Sequence, residues 1–408
     1  MRDDGSRGDR LREIRRARGL TREGLAERAG LSLGVVKKLE RGGQARVETY
    51  HALARALGVR TSRLIDGPSP HAEARDPDAD NAALMPLRQA IAPAVTALGP
   101  LSHRADADPE PDLHHLRRAA DAVAEAYYRD AYGTVAESLP ALIRSAHTAV
   151  GHYDGGPENT EARRLRGRVL QMAGRYLVQV RAYDLAHTAL RDAVRDSADA
   201  HDQGGVSASV YQQGWLLIRQ GRLDEAEQVS IATADQSEPR ISRATRADLG
   251  AWGKLLVHAS SAAARNNRPT EAREMLRLAR TAGVALGKAT AVDTGTWGRF
   301  DWRTVAYQAI ENAMTAEQPR RALGLSERMP PPPTPTFGRR HLLDVAMAHA
   351  MEGTGDEALA ILGRLHRISP EWLRHQQMAR NVFQRVQRAR RRPLTRDQAA
   401  LGTYLRAL

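Results

Sequence analysis

Lys37 and Lys38 are the side chains of this sequence whose type and setting point most directly to chemistry. They sit in Ser32-Leu33-Gly34-Val35-Val36-Lys37-Lys38-Leu39, a segment that reads as a short helix opened by a serine cap. Two ammonium groups on one helix can donate to the O6 and N7 acceptors of guanine, or to phosphate oxygens. Leu33 and Gly34, one turn earlier, carry no hydrogen-bonding side chain. Their part in reading a base edge is limited to contact with a thymine methyl or a close backbone approach. The chemistry indicated is recognition of a polyanion.

Such a helix needs neighbours to hold it. Leu11 and Ile14, spaced i, i+3, give a first helix that stops at Gly19. Thr21 caps a second, with Glu23 in its electropositive first turn and Leu25 and Ala26 facing inward. Ala29-Gly30-Leu31 turns the chain into the helix capped by Ser32, whose buried side is Val36 and Leu39. Val47, Tyr50, Leu53 and Leu57 mark a fourth helix over 46–57, and residues 61–65 a short fifth. Charge is concentrated here. Residues 1–66 carry 16 Lys and Arg against 9 Asp and Glu, whereas the rest of the chain carries 45 against 39. A cationic module followed by a nearly balanced one suits phosphate binding at the N-terminus.

Two short helices joined by a tight turn, the second of them cationic, are the layout of a helix-turn-helix, whose second helix enters the DNA major groove. From Leu11 to Ile65 the sequence resembles the XRE/Cro group of lambda-repressor-like domains. The resemblance rests on RxxxGL at Arg15, Gly19 and Leu20; LAxxxG at Leu25, Ala26 and Gly30; Ser32; LERG from Leu39 to Gly42; and ETxxxLARALGV from Glu48 to Val59. It implies that Ser32 heads the reading helix and that Leu33, Gly34, Lys37 and Lys38 face base edges. Arg22 stands where a phosphate-binding Gln is common, and Arg41, Gln44 and Arg46 are placed for backbone contacts. Arg15 and Glu40 are implied to pair within the domain. The implied partner is double-stranded operator DNA with two-fold symmetry, bound by a homodimer.

The whole chain has 408 residues, beyond one ordinary core, so further domains are expected. Aromatic residues are only 4 %, while Ala, Leu and Arg abound, a composition that favours helices. With no cysteine, disulfides, thiolate metal sites and cysteine nucleophiles are excluded. No apolar run approaches a membrane span, and the opening MRDDGSRGDR is too charged for a signal peptide, so a cytoplasmic protein is expected. Residues 67–80, rich in Pro and Asp, read as a linker between residues 1–66 and residues 81–408.

In the second region five places share a buried-type alanine at 186, 226, 272, 322 and 358, each twelve residues after Gly174, Gly214, Ser260, Ile310 or Ala346. Four of these five partners are small, as close packing of antiparallel helices demands. The pattern resembles tetratricopeptide repeats, although spacings of 40, 46, 50 and 36 residues exceed their usual period of about 34. The whole order resembles actinobacterial regulators that join such a helix-turn-helix to tetratricopeptide-like repeats. Fold class is therefore all-α: a five-helix lambda-repressor-like domain followed by a curved α-solenoid.

Projecting the helical period places Gln171, Arg175, Tyr211, Trp215, Arg219, Tyr307 and Glu311 near the inner face of the solenoid. Aromatic and Arg side chains there suit capture of a peptide, a small molecule or a protein effector. No catalytic residue, metal site or cofactor is expected: the 14 His are scattered, and the phosphate-loop, dinucleotide and hydrolase motifs are absent. The sequence thus predicts a non-enzymatic transcriptional regulator. The alternative is an interaction scaffold or anti-regulator whose N-terminal module binds protein.

Overall fold

The computed structural model describes residues 7–65, 77–96, 99–100, 111–293, 298–330, 335–390 and 392–407. Thr21 and Ser32 each accept a backbone N–H three residues on, from Gly24 at 3.0 Å and Val35 at 3.4 Å, and so start consecutive helices. The N-terminal elements are α1 (Arg7–Ala17), α2 (Arg22–Ala29), α3 (Leu33–Glu40), α4 (Val47–Leu57) and α5 (Ser62–Ile65). They enclose one apolar cluster that includes Leu11, Ile14, Leu25, Val36, Leu39, Leu53 and Leu64. Inside it, the buried Glu40 carboxylate is gripped by Arg15 Nε at 2.5 Å and Arg22 Nε at 2.6 Å. Burial works to raise the Glu40 pKa, but hydrogen bonds and charge from Arg15 and Arg22 outweigh it and hold it below the usual value.

Next come α6 (Pro77–Ile91), then α7 (Leu113–Tyr128) and α8 (Tyr132–His152). Five helical hairpins follow: α9 (Gly156–Val180) with α10 (Tyr183–Asp199), α11 (Gln203–Gln220) with α12 (Leu223–Gln236), and α13 (Arg246–Arg265) with α14 (Pro269–Leu286). The last two are α15 (Trp302–Thr315) with α16 (Pro319–Ser326), and α17 (Pro335–Glu352) with α18 (Gly355–Ile368). The chain finishes with α19 (Pro370–Arg374), α20 (Gln377–Ala389) and α21 (Arg396–Tyr404).

Each alanine singled out in the sequence lies in the second helix of one of these hairpins and is buried. The small partners do what close packing requires. A Cβ at Gly174 would stand 2.4 Å from Leu190 Cγ, and Ser260 Oγ donates to the Ala272 carbonyl at 2.7 Å. Ile310 departs from the small-residue rule; it is buried in a local cluster with Ala322 and Ala348, beside the short helix α16. Each hairpin turn holds one left-handed residue: Arg181, Gly221, Asn267, Glu317 or Gly353. Only two of the five are glycine, which explains why the turns are poorly marked in the sequence.

Two features go beyond the expected open curve. The array returns on itself: Asp130, in the α7–α8 turn, pairs with Arg339 of α17 and accepts a hydrogen bond from Ser369, before α19. Tyr132 and His375 meet edge to face with ring centres 6.0 Å apart. One apolar core accordingly contains residues of α7–α10 and of α17–α21 together. The second feature is a short antiparallel ribbon, Ala291–Asp293 with Gly298–Phe300, whose Phe300 is fully buried against Gly253 of α13. Residues 331–334 lie outside the described residues, as do residues 67–76 of the linker.

Candidate nucleic-acid interface and interior cavity

On α3, Lys38 is exposed, Lys37 and Leu33 are half-buried, and Gly34 and the cap Ser32 are exposed. None of these residues makes a hydrogen bond or ion pair to the helical array among the described residues. Arg41 and Gln44 follow on the same side of the sequence and are also exposed. Two expected phosphate contacts have partners within the chain. Arg22 is half-buried and donates to Glu40, and Arg46 donates through Nη1 to Asn381 Oδ1 of α20 at 2.9 Å. Arg15 and Glu40 are paired, as the resemblance implies.

The domain is seated on the array by α4, α5 and the turn between them. His51 Nδ1 lies 2.6 Å from the Arg265 carbonyl oxygen, and its Nε2 lies 3.1 Å from that of Thr315. Thr61 Oγ1 also donates to the Arg265 carbonyl at 2.8 Å, and the Ser62 N–H donates to Asn266 Oδ1 at 2.9 Å. Asn267 Nδ2 donates to the Val59 carbonyl at 3.1 Å. Gly221 packs against Val47 and Ile65, and Arg55 pairs with Glu317. The seat is thus the turns of three successive hairpins, α11–α12, α13–α14 and α15–α16. No short motif announces it in the sequence.

Behind that seat lies a cavity of about 200 Å³. Its wall comes from the first helix of each hairpin: Tyr127 and Tyr128 on α7, Arg175 on α9, Tyr211, Trp215 and Arg219 on α11, and Lys254 and His258 on α13. Tyr307 and Glu311 on α15, Arg340, His341 and Asp344 on α17, and Trp372 on α19 complete it. Six of the seven residues projected onto the inner face therefore meet around one space. The seventh, Gln171, is buried one turn before Arg175 and does not line it. Lys254 and His258 escaped sequence reasoning. The available signal was a lysine and a histidine inside the otherwise apolar run Trp252 to Ala259 of a helix buried on nearly all sides.

The cavity's electrostatics are lopsided. Glu311 is clasped by Arg265 and by Arg340 Nη2 at 3.3 Å; burial raises its pKa, yet these cations win and hold it at about 2. Asp344 lies 3.8 Å from Arg340 Nε, and burial pushes its carboxyl up to about 7. Arg175 donates to the Tyr128 hydroxyl at 2.8 Å, and with the Gln212 amide turned so that its oxygen faces the guanidinium it donates there at 3.0 and 2.9 Å. Lys254 Nζ stands 5.1 Å from the Tyr211 ring centre, and burial, helped by Arg175, lowers its pKa to about 7. His258 is wedged edge-on between Tyr211 and Trp215, with both ring nitrogens unpaired, and burial holds it neutral down to about pH 3. Arg219 lies inside the protein yet keeps accessible surface because it faces the cavity, and it has no hydrogen bond or ion pair among the described residues.

Residues 11–64 match the family described as helix-turn-helix. The N-terminal five helices are thus a helix-turn-helix domain, of the DNA-binding XRE type. No curated protein matches the chain. Among solved structures, the crystal structure of Bacillus thuringiensis PlcR in complex with the peptide PapR7 and DNA aligns with 86 % of this chain and 98 % of its own, at 11 % identity and a TM-score of 0.33. Among the described residues no helix is long and apolar enough to cross a membrane, and no group of three or more metal-ligating side chains gathers.

Proposed function

We propose that the chain is a transcriptional regulator of the cytoplasm in which residues 1–66 read DNA, residues 67–80 link, and residues 81–408 sense an effector and dimerise. One observation carries the proposal: the helix-turn-helix domain sits with α4 and α5 on the array and leaves α3 uncovered, while the helices that form its seat also line an interior cavity. Ser32, Leu33, Gly34, Lys37 and Lys38 meet the major groove, and Arg41 and Gln44 hold phosphates on either side. Arg22 and Arg46 reach DNA only by exchanging Glu40 and Asn381 for phosphate oxygens. A dimer presents two reading helices about one DNA turn, roughly 34 Å, apart, so a small shift of the seat changes operator affinity.

Selection of genomic fragments by the purified full chain, followed by salt titration of the enriched sequence, tests this. The expected result is a two-fold site whose affinity falls steeply with salt, because bound Lys and Arg release counterions from the phosphates. Failure to enrich any sequence, with salt-insensitive capture of a protein instead, would overturn it in favour of an interaction scaffold.

A further inference from the structure

Resting on the proposal that the array senses an effector, we infer that the interior cavity takes a small aromatic carboxylate, its anionic head on Arg219 and its ring against the tyrosine and tryptophan walls.

The charge ledger of the wall selects the sign. Glu311 is satisfied by Arg265 and Arg340, and Asp344 has Arg340 beside it. Arg219 has no such partner among the described residues, and Arg340, Arg181 and Arg265 add repulsion to its desolvation. A guanidinium inside a protein without an anion is costly, and a carboxylate that enters beside it recovers a charge-assisted, two-pronged hydrogen bond. A cationic ligand would add to the repulsion. A neutral one would leave it unrelieved.

The shape and lining select the rest. Tyr127, Tyr211, Trp215, Tyr307 and Trp372 offer flat apolar faces and edges around the space. Its volume of about 200 Å³ is finite on the scale of ligands. An apolar cavity of roughly 150 Å³ holds a benzene, so this one has room for a small substituted aromatic.

The experiment uses three probes of one shape on the full chain: 2-naphthoate, 2-naphthamide and 2-naphthylmethylammonium, followed by calorimetry and by quenching of tryptophan fluorescence. We expect 2-naphthoate to bind at least about tenfold more tightly than the amide, the worth of one charge-assisted contact, and the ammonium not to bind. Arg219→Gln should bring the carboxylate down to the level of the amide without lowering the melting temperature. Arg219→Lys, which keeps the charge, should retain part of the preference. Equal binding of carboxylate and amide, no binding of any probe in the millimolar range, or indifference of 2-naphthoate binding to Arg219→Gln each overturns the inference. Operator affinity is measured in the same samples. If 2-naphthoate binds through Arg219 and leaves DNA binding unchanged, the ligand class stands and the sensing role falls. If no probe binds while operator binding stays steep in salt, the ligand class falls and the DNA-binding role stands.

Discussion

His51 of the DNA-reading domain and Arg265 of the array meet through the Arg265 backbone, whose carbonyl oxygen lies 2.6 Å from His51 Nδ1, while the Arg265 guanidinium reaches into the cavity wall to Glu311. The opposite edge of the same ring faces the Thr315 carbonyl at 3.1 Å, one turn beyond Glu311 on α15. A neutral imidazole has one N–H for these two acceptors. Only the imidazolium satisfies both, yet burial lowers the His51 pKa against the pull of the two carbonyls. The seam is therefore held by a residue in conflict, against the same Arg265 that pairs with Glu311 in the cavity wall. A contact of this kind is easily shifted, as a regulatory joint must be.

Coupling between the two sites follows from that geometry. Glu311→Gln removes the carboxylate shared by Arg265 and Arg340, and His51→Ala removes the joint itself. The two changes are expected to be non-additive in operator affinity, with an interaction energy of at least about 0.5 kcal/mol in a double-mutant cycle. Additive effects within error would mean that the cavity wall and the seat are independent.

Lys37→Ala with Lys38→Ala should leave the fold intact, since neither side chain pairs with the array. DNA affinity should fall, and the slope of log affinity against log salt should lessen by about 0.9 for each lysine that neutralises a phosphate. Fluorescence anisotropy across a salt series measures both. An unchanged slope together with lost affinity would assign the lysines to base edges rather than to the backbone.

The sequence was most legible where local physics decides structure. Thr21, Ser32 and the apolar spacing of Leu25, Val36 and Leu39 act within one turn, so the first five helices could be placed from residue types alone. The residue twelve positions before each alanine, small in four of the five places, located the hairpins for a similar reason: Gly174 lets Leu190 of the paired helix approach closely. The pair α7–α8 carries no such spacing, and its turn is made by Asp130 in a left-handed conformation. Closure of the ring depends on Asp130 meeting Arg339 from more than two hundred positions away, and no local pattern encodes that. Inner-face residues were recoverable where the helical period is regular. Lys254 and His258 were not, because a buried cation and a buried imidazole are accepted only in the assembled wall.

Packing of the ribbon onto α13 gives a stability prediction. An ideal Cβ at Gly253 would stand 2.2 Å from Phe300 Cζ, well inside contact distance. Gly253→Ala is therefore expected to destabilise by about 1–3 kcal/mol through overpacking. Gly253→Ala with Phe300→Leu should be more stable than the sum of the two single changes, because the shorter side chain vacates the clash. Additivity in thermal or denaturant unfolding would place Phe300 elsewhere.

Asp344 provides a prediction in pH. Burial raises its carboxyl from the ordinary 3.8 to about 7, so between those values the folded chain holds a proton that the unfolded chain has released. More protons in the folded state means that stability falls as pH rises through this window and levels off above about 7. The wild-type profile alone hides this. Burial lowers His258 to about 3 and His341 to about 4, and these two contribute stability that is present above about 6.5 and lost as pH falls. Subtraction isolates the carboxyl, because both histidines are present in wild type and in Asp344→Asn. The variant's stability relative to wild type should grow as pH is raised from 4 to 7, with an initial slope of up to about 1.4 kcal/mol per pH unit, and stay constant above about 7.5. Chemical denaturation across pH measures the difference. A difference that is flat throughout would mean that Asp344 is ionised and paired with Arg340 in the folded state.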